Sequence, residues 1–174
     1  VDAVISAIRR HEIKEENKIN IKKRYKIIAD AKISSRSDMV SVLLKKNMDV
    51  RKSIIKLYNK IDFTRGEVLR ILEVNQFMKI IIDNTNMKYV HELFPKTDII
   101  STEEKLGEIS LIYDEEVEKI PGVFAALTSE LGLSNISIRD GVICGSEHIF
   151  IIKKDDLMKA LETFYKISKW GEKN

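Results

Sequence analysis

The sequence predicts an α+β fold in which one order of elements occurs twice. Residues 37–101 read β-α-β-β-α-β, and residues 108–168 read β-α-β-β-α with similar element lengths. The strand runs are short and β-branched, the helical runs carry apolar residues at helical spacing, and turn residues separate them. At 174 residues, with 44% hydrophobic and 33% charged residues, the chain has material for a packed core and a solvated surface in one domain or two small ones.

Val1, Val4, Ile5 and Ile8 form one apolar stripe ending at Arg9-Arg10-His11. This predicts a helix, read either as the end of a small bundle or as the end of a DNA-binding helix pair with its arginines on phosphate. Residue 1 is Val rather than Met, so a preceding segment is expected. Residues 12–20 are polar and predict a loop. Helical spacing resumes over 21–31 with Ile21, Tyr25 and Ile28 on one face and Lys22, Lys23, Arg24 and Lys26 around it. That cluster suits either a solvated face or an anionic backbone. Ile33-Ser34-Ser35-Arg36-Ser37 is small and polar and predicts a boundary.

The first copy opens with a strand at Met39 to Leu44. Asp49 is the expected N-cap of a helix carrying Val50, Ile54, Leu57, Tyr58 and Ile61. Strands at Glu67–Val74 and Phe77–Ile82 flank a turn at Asn75-Gln76. A helix over Met87–Phe94 stops at Pro95, and Asp98–Ser101 predicts a further strand. The second copy has a strand at Ile109–Tyr113 and an acidic loop. Pro121-Gly122 opens a helix at its first turn, and Leu131-Gly132 closes it. A strand starts at Ile136, a turn falls at Cys144-Gly145-Ser146, a buried strand covers His148–Lys153, and a helix covers Asp155–Ser168. Each copy is a split βαβ, ferredoxin-like (βαββαβ) module with an antiparallel sheet and two helices on one face. The expected division is 1–34 as a basic helical segment, 35–102 as a first module and 103–174 as a second. The second copy lacks a last strand, so either that strand is absent or another segment completes the edge.

The run Ile120-Pro121-Gly122-Val123, with Leu127, Leu131 and Gly132 in the helix and Asn135-Ile136-Ser137-Ile138 at the strand entry, resembles the ACT domain, a regulatory module. The whole chain is similar to archaeal proteins with two such modules behind a helical segment, described as predicted regulators of amino-acid metabolism. The resemblance implies amino-acid binding at this loop beside an adjacent protomer's strand, with Ile120, Pro121, Gly122, Val123, Asn135 and Ile136 facing the ligand. It also implies a homodimer. Lys119 stands where that family carries an acidic residue, and Glu118 and Glu116 are the substitutes for it. The first copy has Asn47-Met48-Asp49 at the matching turn, which implies a copy that is structural or binds something else.

The sequence shows no catalytic constellation. His11, His91 and His148 lie in separate elements, and the acidic run at 114–118 lacks the spacing of a calcium loop. No phosphate-binding glycine loop occurs, and no cofactor or metal is expected. Cys144 is the single cysteine, which excludes an intrachain disulfide and fits a reducing, cytoplasmic setting. It is expected to be an inert or partly buried thiol. Apolar runs are strand-sized, so no membrane span is expected. The net charge of +3 is uneven. Residues 1–46 hold 12 Lys/Arg against 6 Asp/Glu, residues 47–97 hold 9 against 6, and residues 98–174 hold 9 against 15. The expected function is therefore non-enzymatic sensing of an amino acid, with a regulated enzyme as a candidate partner. The alternatives are a metabolite-responsive DNA-binding regulator, through Arg9, Arg10, Lys22, Lys23, Arg24 and Lys26, and a structural dimerisation module.

Overall fold

In a computed structural model, residues 21–114 and 117–173 are described. Helix α1 spans residues 21–29. Then follow β1 (Lys32–Lys45), α2 (Met48–Tyr58), β2 (Leu69–Glu73), β3 (Phe77–Asp83), α3 (Met87–Leu93), β4 (Ile99–Ile112), α4 (Val123–Leu133), β5 (Ile138–Cys144), β6 (Glu147–Lys153) and α5 (Leu157–Lys173). Short 3-10 turns lead into α3, α4 and α5.

The described chain divides into two compact units. The middle unit comprises 36–108 with 153–155, and the terminal unit combines 21–35, 109–152 and 156–173. Of the basic segment expected at 1–34, residues 1–20 lie outside the described residues, and residues 21–34 belong to the same unit as the C-terminal elements.

In the middle unit the strand order is β2-β3-β1-β4. β3 is antiparallel to both neighbours, with Val42 opposite Ile80 and Ile71 opposite Ile80. Period-2 alternation sends Val40, Val42, Leu44, Met78, Ile80 and Ile82 into one core. Val50, Ile54 and Leu57 of α2 and Met87 and Val90 of α3 fill that core from their helical stripes.

In the terminal unit the order is β1-β4-β6-β5. This is the same pattern, with β1 in the place of the missing last strand. The first residues of β1, 32–35, supply it, so the closing strand comes from the opposite end of the chain to the helix it should follow. Ile33 packs on the core there. The boundary expected at Ser34 to Ser37 falls where the two units divide, between Ser35 and Arg36, although these residues are strand. Their backbone groups are satisfied by pairing, and their side chains, exposed serines and the half-buried Arg36, leave no apolar signal. The same holds for Thr102 to Lys105, which the separate strands at Asp98–Ser101 and Ile109–Tyr113 left as a gap and which lie inside β4.

The terminal core joins Ile109, Leu111 and Tyr113 of β4 and its C-terminal flank to Phe150 and Ile152 of β6. Val123, Leu127 and Leu131 of α4 enter it at i, i+4, i+8, and Leu157, Ala160, Phe164 and Ile167 come from α5. Ile28 of α1 is fully buried in the same core. β6 is buried at every residue from His148 to Ile152, which accounts for its unbroken apolar run. Cys144 is exposed, not partly buried.

Candidate functional site: the Pro121–Gly122 turn

Pro121 and Gly122 precede α4 and do not form its first turn. Gly122 is the N-cap residue with φ 82, in the left-handed region, and helical geometry begins only at Val123. Glycine reaches this conformation without the steric cost that a Cβ imposes. It brings no side chain to cap the helix. The Ala126 N–H reaches the Gly122 carbonyl at 2.9 Å, so the N–H groups of Val123, Phe124 and Ala125 precede the first intrahelical bond.

The corresponding turn of the middle unit is closed. There Asn47, not Asp49, is the N-cap, and its Oδ1 accepts the Val50 N–H at 2.8 Å. Asn47 sits one residue before α2 begins, where its short amide reaches the third N–H. Asp49 already lies in the first turn.

Arg24 of α1 lies on the Pro121–Gly122 turn. Its Nε donates to the Pro121 carbonyl at 3.0 Å. A Cβ added at Gly122 would stand 2.8 Å from Arg24 Nη2, a second reason for glycine here.

An open cleft of about 570 Å³ borders the turn, lined by Val117, Glu118, Ile120, Gly122, Val123, Phe124, Ala125, Ile143, Gly145 and His148. The helix start, the short turn before it and the β5–β6 hairpin supply these residues. His148 is 4% exposed although polar. Its Nδ1 lies 3.2 Å from the buried Tyr113 hydroxyl. Tyr113 and Phe124 each meet the imidazole edge-on, at centroid distances of 4.8 and 5.5 Å, and Phe124 stacks on Phe150 at 5.1 Å. Burial lowers the His148 pKa and raises that of Tyr113 well above the usual phenol range, so both are neutral near pH 7. The cleft thus combines N–H groups suited to a carboxylate, the Glu118 carboxylate suited to an ammonium group, and an apolar wall of Val117, Ile120, Phe124 and Ile143. Among the described residues no group of three or more His, Cys, Asp or Glu is placed to hold a metal ion.

Of the residues expected to face a ligand, Ile120, Gly122 and Val123 line this cleft, and Pro121 sits exposed beside them. Asn135 and Ile136 lie at the opposite end of α4, roughly 16 Å away for an 11-residue helix. They end that helix. Asn135 adopts φ 54, its N–H reaches the Gly132 carbonyl at 2.8 Å, and the Ile136 N–H reaches the Leu131 carbonyl at 2.9 Å. This is a Schellman closure, with Asn in the place that glycine usually takes. Sequence reasoning missed Phe124, Ile143 and His148. The one signal available was that His148, Phe150 and Ile152 share a strand face. Of the basic residues, Lys22, Lys23 and Lys26 are exposed, Arg24 is turned onto Pro121, and Arg9 and Arg10 lie outside the described residues.

No family model and no curated protein matches this sequence. Solved structures do match. Aspartate kinase from Clostridium acetobutylicum, described as an allosteric enzyme, aligns at TM-score 0.64 and 13% identity over 78% of this chain. The chain spans only 34% of that enzyme. The ligand-free regulatory subunit of aspartate kinase from Thermus thermophilus aligns at TM-score 0.61 and 12% identity, over 79% of this chain and 98% of the subunit. Aspartokinase III of E. coli in complex with lysine and aspartate aligns at TM-score 0.51 and 14% identity, over 79% of this chain and 32% of that enzyme. At these identities the likeness is one of fold: this chain shares the α+β architecture of the Thermus thermophilus subunit along nearly all of that subunit's length.

Proposed function

We propose that the chain is a non-enzymatic regulatory module that binds an amino acid in the cleft at the Pro121–Gly122 turn. The observation that carries the reading is the unequal treatment of two equivalent helix starts. α2 is closed by the Asn47 side chain, whereas α4 begins at a bare glycine whose following N–H groups border a cleft holding Glu118 and His148. A carboxylate on those N–H groups and an ammonium at Glu118 would orient one amino acid, with its side chain on the apolar wall. The ACT resemblance of the same residues supports this, as does the fold shared with aspartate kinase regulatory subunits.

The E. coli enzyme solved with lysine and aspartate suggests the first two ligands to try. Binding acts on a partner or a second copy only through its differential affinity for two arrangements. A homodimer is the natural setting for such arrangements, with a regulated enzyme as the candidate target.

Calorimetric titration with each of the 20 amino acids, with amide resonances of Gly122 to Ala125 followed in parallel, tests the reading. At least one amino acid should produce saturable heat and move those resonances, and Gly122→Asp should abolish the movement at Val123 to Ala125 and the heat that belongs to it. Silence from all the amino acids would refute amino-acid sensing at the turn.

A further inference from the structure

A second cleft, of about 320 Å³, is lined by Tyr25 of α1, Glu130 of α4 and its C-cap residue Ser134, and Thr163, Lys166 and Ile167 of α5. Among the described residues it shares no lining residue with the cleft at the turn. Its volume is at the small end of the range for small-molecule sites. Glu130 and Ser134 are one helical turn apart at the end of α4, and Thr163, Lys166 and Ile167 fall at i, i+3, i+4 on α5, so each helix presents one face to it.

Two features of the lining bear on what the cleft can hold: its charges and its hydroxyls. Glu130 and Lys166 carry opposite charges into the same cleft, yet among the described residues no ion pair joins them and neither has another partner. The hydroxyls are also oriented. Thr163, only 7% exposed, donates to the Lys159 carbonyl at 2.8 Å. Its 3.0 Å contact with Ser134 is therefore one in which Ser134 donates, leaving the Ser134 lone pairs as acceptors. The α4 side of the cleft is thus an acceptor pair, Glu130 with Ser134, and the α5 side is a cation, Lys166, above the buried Ile167.

We propose that this cleft is a second small-molecule site, selective for a zwitterion of the α-amino acid class. The ligand's ammonium group lies between Glu130 and Ser134, and its carboxylate lies on Lys166. Each charge of the ligand meets its complement, and charge-assisted hydrogen bonds of this kind are the strong ones. Tyr25 brings α1 to the ligand, so occupancy also holds α1 against α4 and α5. The site is independent of the one at the turn.

The test is NMR titration of the full chain with each of the 20 amino acids, and with ethylamine and acetate as single-charge controls. At least one amino acid should move the amide resonances of Glu130, Ser134, Thr163 and Lys166, while ethylamine and acetate should not. Glu130→Gln and Lys166→Met, each first checked for the wild-type circular dichroism spectrum, should each weaken that binding by at least about tenfold, the loss of one hydrogen bond to a charged group. Gly122→Asp should leave it intact. The proposal is overturned if either variant titrates as the wild type, or if amino acids move only resonances at Gly122 to Ala125. Shifts at the second cleft with none at the turn would instead refute the turn reading and keep this one.

Discussion

Gly122→Ala tests whether the turn has the geometry described and whether α1 rests on it. Gly122 sits at φ 82, a left-handed conformation that costs an L-residue about 1–2 kcal/mol. The new Cβ would lie 2.8 Å from Arg24 Nη2 and 2.9 Å from Cζ, so the guanidinium must move. Its 3.0 Å bond to the Pro121 carbonyl is then lost. That bond is exposed, so its net contribution is about 0.5–1 kcal/mol. Alanine also restricts the unfolded chain, which offsets about 0.4–1 kcal/mol. The expected destabilisation is about 1–2 kcal/mol, read as a lower urea midpoint at unchanged slope. Arg24→Ala alone should cost about 0.5–1 kcal/mol. In the double variant the Cβ has room and no bond remains to be broken, so the two effects should fall short of additivity by about 0.5–1 kcal/mol. Additivity within about 0.3 kcal/mol would refute the seating of α1 on the turn. A Gly122→Ala protein as stable as the wild type would refute the left-handed conformation itself.

Burial lowers the His148 pKa from its ordinary 6.5. The unfolded chain therefore takes up the proton more readily than the folded one. The contribution of neutral His148 is complete above about pH 6.5 and is lost as the pH falls below it. Urea unfolding at a series of pH values should show this decline, and His148→Phe, which keeps the ring contacts, should flatten it. Glu108 is 4% exposed and held by Arg70 through two bonds, Nη2 to Oε1 at 2.9 Å and Nε to Oε2 at 3.2 Å. Arg70→Met should cost about 3 kcal/mol by stranding that carboxylate, and adding Glu108→Met should restore most of it, as measured by chemical denaturation. Ile28→Ala should cost about 2–4 kcal/mol if α1 is part of the terminal core. A change under about 0.5 kcal/mol would place α1 outside it.

The parts legible in the sequence were those that local chemistry writes. The stripe Val123, Leu127, Leu131 and the alternation through Ile80 and Ile82 come from burial of one face, so periodicity reports them. The Pro121–Gly122 turn is equally local. What the sequence hid was pairing without burial. Ser34 to Ser37 and Thr102 to Lys105 are strand because the partner strand satisfies their backbone. Their polar side chains carry no record of that, so two long strands were read as short ones with gaps. The edge left open in the second copy was filled from the far end of the chain, which no local rule anticipates. The cleft was hidden for a related reason. Phe124, Ile143 and His148 converge from a helix, a strand end and a hairpin, and each alone reads as ordinary core. Arg24 looked like one of four solvated cations, and its partner carbonyl lies 97 residues away.

That contact also says how occupancy of the turn would leave the terminal unit. Arg24 is held to Pro121 by one exposed hydrogen bond, whereas Ile28, one turn further along α1, is anchored in the core. The anchor is strong and insensitive to ligand. The Arg24 bond is weak and adjoins the residues proposed to hold a carboxylate. A ligand that changes the turn therefore changes the start of α1 before it changes the end. Hydrogen exchange over residues 21–29 should respond to amino-acid binding, with the larger effect N-terminal to Ile28. Arg24→Ala should leave binding at the turn within about fivefold, since an exposed bond to protein is worth less than about 1 kcal/mol. It should also remove the exchange response of α1. If α1 responds equally with and without the guanidinium, the signal leaves the turn by another path, and Arg24 is only a tether.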